Sequence, residues 1–447
     1  MGIREGGLYH SKYNTRALHR SPPLPLKLYN TLTREIQEFA PRGSQIGIYV
    51  CGITPYDTTH LGHAFTYSVA DILIRYLEYQ GGAVRYVQNV TDVDDDLLRV
   101  AGERREDWRR MGDRWTSHYI EDMAALNVRP PDDLPRATDV IPQIIESVEK
   151  LLQAGVAYAA GGGVYFDLEA WPAYGRLSWL PPDQMLPIAN ERGNRPDDPN
   201  KRQPLDFVLW QPQASGEPAW DSPWGPGRPG WHIECSTMAS QYIGQTVDLH
   251  AGGEDLVFPH HESEIAQTES LTGQPFASHW LHIAPVRHLG EKMSKSLGNL
   301  VMVRDLLDRW SSDAIRVYLA GHHYRESWTY DSESLHNASR DAETISAAAA
   351  LVGAAGEPFL ADDLVAEFAE ALEQDLDTPA AVAALRGLAE AIVAASQRGR
   401  AVAAAQESLR TLGAILGLRL GSAGPAGKVV EGWGRHLTRF QSESVAG

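Results

Sequence analysis

The stretch Cys51-Gly52-Ile53-Thr54-Pro55-Tyr56-Asp57-Thr58-Thr59-His60-Leu61-Gly62-His63 decides how this chain is read. Before it, Gln45-Ile46-Gly47-Ile48-Tyr49-Val50 is a short apolar run of the kind that forms a buried strand. After it, Ala64 to Tyr79 carries apolar residues at helical spacing. The stretch is therefore a strand-to-helix crossing, the place where parallel α/β sheets hold their ligands. It contains one of only two cysteines, and His60 and His63 flank a glycine where the helix begins. Unpaired N–H groups and partial positive charge at a helix N-terminus suit phosphate. Taken alone, two histidines at a turn serve equally well as a solvated cap, so the rest of the chain must decide.

Outward from this crossing, Gly81-Gly82 turns the chain into a second strand, Val84 to Val90, which ends in the acidic run Asp92, Asp94, Asp95 and Asp96. Such a run binds cations or hydroxyls, or caps the next helix; its place at a strand end favours a site. Strand–helix–strand order implies a parallel sheet. From Trp108 to Ala154 the pattern is helical, with Thr138 as N-cap of the run Val140–Leu152. Residues 170–230 are rich in Pro, Gly and Trp and read as an inserted functional surface. Gly163–Leu168, Val247–His250 and Trp280–Ala284 read as strands. The expected organisation is an irregular lead-in over residues 1–44 and a Rossmann-like α/β catalytic domain over 45–330, with an insertion at about 100–230. A helical domain of three or four helices over 331–420 and a partly disordered tail over 421–447 follow.

At 447 residues the chain is long enough for two or three domains. A net charge of −18 argues against broad, non-specific phosphate binding but not against a local basic site. No run of 18 apolar residues points to a membrane span, and the N-terminal residues lack the apolar core of a signal peptide. Two cysteines in so long a chain suit a reducing, cytoplasmic setting and exclude a disulfide framework.

Four scattered residues, Cys51, Cys235, His260 and Glu264, make a donor set for Zn²⁺. His260 and Glu264 are four apart, so both project from one helical face. The competing structural role is a capping histidine and a solvated glutamate. Scattered soft donors serve chemistry or recognition more often than the compact ligand pairs of a structural zinc ribbon. A second set is Lys292 and Lys295 on the glycine-bounded loop Gly290–Gly298. Two flexible ammonium groups there suit transient neutralisation of phosphate charge.

His60-Leu61-Gly62-His63 and Lys292-Met293-Ser294-Lys295-Ser296 resemble the two signature motifs of class I aminoacyl-tRNA synthetases. More narrowly, the Cys51 motif, Thr91–Asp95, Gly230–Cys235, Phe258–Glu264 and the lysine loop resemble the cysteinyl-tRNA synthetases. They also resemble their paralogue, the mycothiol-pathway ligase that joins cysteine to the amine of glucosaminyl-inositol, and this paralogue is the relative to which the chain is expected to stand closest. The similarity spans roughly residues 26–420. It implies formation of cysteinyl-adenylate from L-cysteine and ATP with Mg²⁺, with the substrate thiolate on zinc. By motif, Cys51, Cys235 and His260 become zinc ligands, and Glu264 matches a fourth ligand found in the synthetase and not in the paralogue. Gly52, Thr54, Thr66, Asn89, Thr91, Trp231, Gly253, Asp255 and Ser294 line the adenylate pocket. His60, His63, Lys292 and Lys295 act on the phosphates.

The two relatives differ in acceptor, a small amino sugar or tRNA(Cys). Gly52-Ile53-Thr54, Glu191-Arg192-Gly193-Asn194 and Gly225–Pro229 resemble the paralogue, whereas His250 and Glu264-Ile265-Ala266-Gln267 match the synthetase. From Asp341 onward there are 8 Lys and Arg against 14 Asp and Glu, with no segment resembling an anticodon-reading module after about Leu420. Gripping a tRNA stem needs phosphate-neutralising side chains. The sequence expectation is therefore the small-amine acceptor, with tRNA(Cys) as the alternative.

Overall fold

The computed structural model describes residues 25–293, 297–353, 355–420 and 425–443. Where an irregular lead-in is expected, β1 (Lys27–Asn30) and β2 (Glu35–Glu38) form an antiparallel hairpin. These four-residue strands are ordered by distant partners. The Tyr29 N–H donates to Asp375 at 2.8 Å, and the Asn30 side chain accepts from the Trp280 N–H at 3.2 Å.

Next come β3 (Gln45–Ile53), α1 (Leu61–Tyr79) and β4 (Ala83–Val90). Helices α2 (Asp95–Arg104), α3 (Trp108–Ala125) and α4 (Ile141–Gln153) lead into the insertion. There β5 (Ala157–Ala160), β6 (Gly163–Phe166), β7 (Phe207–Pro212) and β8 (Gly227–Pro229) build an antiparallel sheet, with α5 (Pro182–Glu191) between β6 and β7. The chain returns through α6 (Trp231–Tyr242), β9 (Val247–Gly253), α7 (Glu262–Thr272) and β10 (Ala277–Ile283).

The central sheet is wholly parallel in the order β10-β9-β3-β4. Chain order runs outward in opposite directions from the neighbours β3 and β9, so their C-terminal ends form the topological switch point. A strand buried on both faces divides its side chains alternately between two cores. Ile46, Ile48, Val50 and Ile53 of β3 belong to the core that also holds the apolar face of α1, whereas Tyr49 and Cys51 belong to the core that holds those of α4 and α6.

A small sheet of β11 (Val286–His288), β12 (Glu291–Lys292) and β13 (Trp328–Thr329), with α8 (Val303–Leu307) and α9 (Ser312–Ala320), follows the central sheet. The expected helical domain consists of α10 (Ser332–Ala350), α11 (Asp362–Glu373), α12 (Thr378–Gln397) and α13 (Ala403–Ile415). Arg316 of α9, fully buried, locks it to the core by donating to Asp71 of α1 at 2.6 Å and to the Leu416 carbonyl at 2.9 Å. Among the described helices, α12 alone is long and apolar enough to cross a membrane by length and composition, and it packs against α10 and α11.

Two further expectations are corrected. Residues 425–443 of the tail form helix α14 (Pro425–Glu443), which packs on α3. The Trp433 Nε1 donates to the Val128 carbonyl at 2.8 Å, and Arg136 lies over the Phe440 ring at 4.0 Å. Thr138 is not an N-cap: α4 starts at Ile141 after a 3-10 turn, and the Thr138 hydroxyl donates instead to Asp92.

Candidate active site

Cys51 and Gly52 sit at a bulge in the β3–β4 pairing, on the C-terminal rim of the sheet. The Gly52 N–H donates to Asn89 Oδ1 at 2.9 Å, and a Cβ there would lie 1.6 Å from the Asn89 carbonyl oxygen. Glycine is therefore required for β4 to approach so closely. The Asn89 side chain also reaches Cys235 Sγ at 3.4 Å, tying α6 to the strand end.

Opposite them, β9 ends in Gly252-Gly253, and the chain turns through Val257–His261 into α7. That turn aims His260 and Glu264 back at the two cysteines. The expected ligand atoms of Cys51, Cys235, His260 and Glu264 all lie within 4.8 Å of one another, and every residue is buried. His260 Nε2 is 2.9 Å from Glu264 Oε1, and Cys51 Sγ is 3.7 Å from the same oxygen. A second overlapping set, Cys51, His250, His261 and Glu264, satisfies the same spacing.

Electrostatics hold this cluster together. Burial opposes charge on Glu264, yet His250 and His260 draw its carboxyl down to about 2. Burial likewise opposes charge on His260, but Cys235 and Glu264 raise it to about 10. Cys235 is lowered to about 6 against its burial by Cys51 and His260, while burial and the neighbouring Cys235 raise Cys51. Two sulfurs, an imidazole and a carboxylate in so small a buried volume fit a tetrahedral Zn²⁺.

Sequence reasoning gave no role to His232, His261 and His282 behind the donors, and noted His250 only as a match to the synthetase. His232 Nδ1 lies 2.9 Å from His260 Nδ1, and His250 Nε2 lies 2.9 Å from Glu264 Oε2. His261 contacts Cys51 Sγ at 3.3 Å and His282 at 2.7 Å, and His282 reaches the Thr31 hydroxyl. The adjacent pair His260-His261 was the available signal.

Above this floor opens a cavity of about 370 Å³. Gly52, Thr54, Thr66, Asn89, Thr91, Trp231, Gly253 and Asp255 all line it, together with His60, His63 and Lys292. The Thr54 and Thr91 hydroxyls meet at 2.8 Å, and Trp231 stacks on His260 with centroids 4.1 Å apart. His60 caps α1, its Nδ1 accepting from the Gly62 N–H at 3.1 Å, while His63 Nδ1 accepts from the His60 N–H at 3.4 Å. The rings stack at 3.7 Å. The capping role and the cavity-lining role thus coexist. An Nδ1 that accepts leaves the proton on Nε2.

Lys292 of β12 pairs with Asp255 at 3.1 Å across the mouth. Ser294 and Lys295 lie outside the described residues. The acidic run after β4 is consumed structurally, contrary to expectation. Asp94 caps α2, Asp92 accepts from Thr138, Asp95 pairs with Arg228, and Asp96 accepts from Tyr56 and Arg99.

Residues 38–340 match the family model for the tRNA synthetases class I (C) catalytic domain, and residues 367–421 match the DALR domain. The chain belongs to the class I tRNA synthetase family. It is 41% identical over 409 residues to a cysteine--tRNA ligase of Dehalococcoides mccartyi, covering 90% of this chain and 88% of that one. A cysteine--tRNA ligase of Shewanella loihica is 43% identical over 397 residues, covering 88% and 85%. Among solved structures, Mycobacterium tuberculosis methionyl-tRNA synthetase in complex with methionyl-adenylate superposes with a TM-score of 0.60 at 16% identity, covering 89% of this chain and 93% of that one. The Agrobacterium radiobacter LeuRS in its ternary complex with tRNA and LeuAMS gives 0.61 at 12%, covering 89% and 86%. These last two establish the class I synthetase fold, a Rossmann-like α/β catalytic domain with a C-terminal helical domain. The cited relatives favour the tRNA acceptor over the small amine, so the sequence expectation shifts to its alternative.

Proposed function

We propose that the protein is a cytoplasmic cysteine--tRNA ligase that activates L-cysteine with ATP and Mg²⁺ and transfers the cysteinyl group to tRNA(Cys). The observation that carries this reading is the convergence of two thiols, an imidazole and a carboxylate on one buried floor beside the helix-capping histidines. Cys51, Cys235, His260 and Glu264 would hold Zn²⁺, which when bound supplies a soft acceptor for sulfur and so disfavours serine.

The chain's own side chains do the rest. Thr54, Asn89, Thr91 and Trp231 enclose the amino acid, and Gly52, Thr66, Gly253 and Asp255 accommodate the nucleotide part of the adenylate. His60 and His63 offer Nε2–H groups to the phosphates at the N-terminus of α1. Lys292, with Ser294 and Lys295 of the same loop, adds positive charge from the opposite side.

A carboxylate oxygen of cysteine attacks the α-phosphorus in line, and pyrophosphate leaves. A hydroxyl of the terminal ribose of tRNA then attacks the carbonyl carbon, and AMP leaves. Catalysis is positioning and electrostatic stabilisation, with no covalent enzyme intermediate.

The acceptor follows the relatives' names, and the decisive experiment offers tRNA(Cys) and glucosaminyl-inositol separately with cysteine and ATP. Charged tRNA is expected. An amide product with uncharged tRNA would overturn the acceptor and leave the activation step standing.

A further inference from the structure

The hydroxyl of Tyr49 lies beneath the donor set with no task assigned to it. Tyr49 stands in β3 two residues before Cys51, and the period of a strand puts both side chains on one face. Its neighbour in register on β9 is His250, whose ring centroid is 5.1 Å away. The side chain is fully buried and does not line the adenylate cavity, yet its hydroxyl has no hydrogen-bond partner among the described residues. His250 Nδ1 is unpartnered too, so the two do not satisfy each other. The ionisable groups around the phenol are Cys235, Cys51 and Glu264, three of the four expected metal donors.

A hydroxyl left buried and unpaired is costly, and a phenylalanine would fill the same strand position without that cost. The donor set supplies a reason to keep the oxygen. Two thiolates and a carboxylate around Zn²⁺ leave a formal charge of 2 − 3 = −1, and the thiolate of a bound substrate cysteine makes it −2. Negative charge held away from water needs hydrogen-bond donors aimed at it. Several are in place. Asn89 Nδ2 donates to Cys235 Sγ at 3.4 Å, His261 Nε2 lies 3.3 Å from Cys51 Sγ, and His250 Nε2 lies 2.9 Å from Glu264 Oε2. Among the described residues, Glu264 pairs with histidines and with no lysine or arginine. The compensation therefore depends on neutral or weakly charged donors, and a phenol O–H at the sulfurs is one more of them.

We propose that Tyr49 is a positioning residue of the metal centre, its O–H donating to the Cys235 thiolate from beneath when the metal is bound. It stabilises the charge that the donors concentrate, and it reaches the substrate's sulfur only through the metal, because it does not line the cavity. The inference rests on the zinc reading above and adds a residue to it.

The test is Tyr49→Phe in the full chain, which removes one oxygen and keeps the ring. Without metal, urea unfolding of the variant should match or exceed wild type, because the hydroxyl lost there has no partner. In competition with a chelator, the variant's dissociation constant for Zn²⁺ should rise about 10- to 100-fold. With Co²⁺ in place of zinc, the sulfur-to-metal charge-transfer band should move to longer wavelength, since a thiolate that loses a hydrogen bond gives up electron density more readily. Either an unchanged dissociation constant or an unmoved band overturns the proposal. So does a variant that loses as much stability without metal as with it, which would make Tyr49 a packing residue. Wild-type protein that takes up no stoichiometric zinc overturns the donor set itself, and this inference with it.

Discussion

The floor of the adenylate cavity and its mouth are built on opposite principles. On the floor, charged and polar groups are buried and mutually compensated: Glu264 meets His250 and His260, and Cys51 meets His261. The four donor atoms lie within 4.8 Å of one another, so the set is already assembled. At the mouth, Lys292 and Asp255 are about half exposed and joined by a single contact of 3.1 Å. An exposed pair of this kind contributes little to stability and is readily exchanged for another partner. On the function proposed above, selection of the amino acid would be rigid, while charge neutralisation would be left adjustable, as a loop that must admit ATP and release pyrophosphate requires.

The comparison breaks most visibly at Cys235. Cys235→Ser should strip stoichiometric zinc and lower pyrophosphate exchange by roughly a thousandfold or more, since losing even an outer partner of a metal ligand costs about 10- to 100-fold. Metal analysis alongside exchange kinetics checks this, and a fully active, metal-loaded variant refutes the donor set. At the mouth, Lys292→Ala should lower the maximal rate of adenylate formation by about 100-fold, the scale of one transition-state charge contact. Its KM for cysteine should barely move. A change confined to that KM would place Lys292 on the floor's side of the division.

The floor was also the more legible region. Cys51 at a strand end, Cys235 at a helix start and the i, i+4 pair His260/Glu264 all carry local pattern, and the structure brings them together. His232 and His282 carry none, because a lone histidine acquires a role only from what the fold stacks beside it. The β1–β2 hairpin was invisible for the same reason: its partners Trp280 and Asp375 are hundreds of residues away. Helix α14 could have been read, since Val429, Trp433, Leu437 and Phe440 recur at helical spacing beneath a glycine-rich composition. The acceptor expectation, which the relatives move toward its alternative, rested on a weaker kind of signal. The acidic balance after Asp341 averages over a whole domain, whereas RNA contacts are made by a few local side chains. Trp433, buried between Val128 and Tyr119, makes α14 testable. Trp433→Ala should cost about 3 kcal/mol of stability in urea unfolding, with adenylate formation retained in the folded fraction.

A smaller effect separates two buried carboxylates. Glu264 is held low by its histidines, whereas Asp92, just beyond β4, is raised to about 6 by burial, which outweighs Arg136 and the Thr138 bonds. A carboxyl with a raised folded pKa makes its full contribution below the ordinary carboxylate range and loses it as pH climbs toward 6. Asp92 should therefore make the protein less stable as pH rises from about 4 to about 6, by on the order of 2 kcal/mol. Asp92→Asn keeps both links to Thr138, because the amide oxygen accepts the backbone N–H and the amide nitrogen donates to the hydroxyl. Urea unfolding across that pH window should give the variant a flatter profile than wild type. Parallel profiles would mean that Asp92 is ionised in the fold and belongs with Glu264 among the compensated charges.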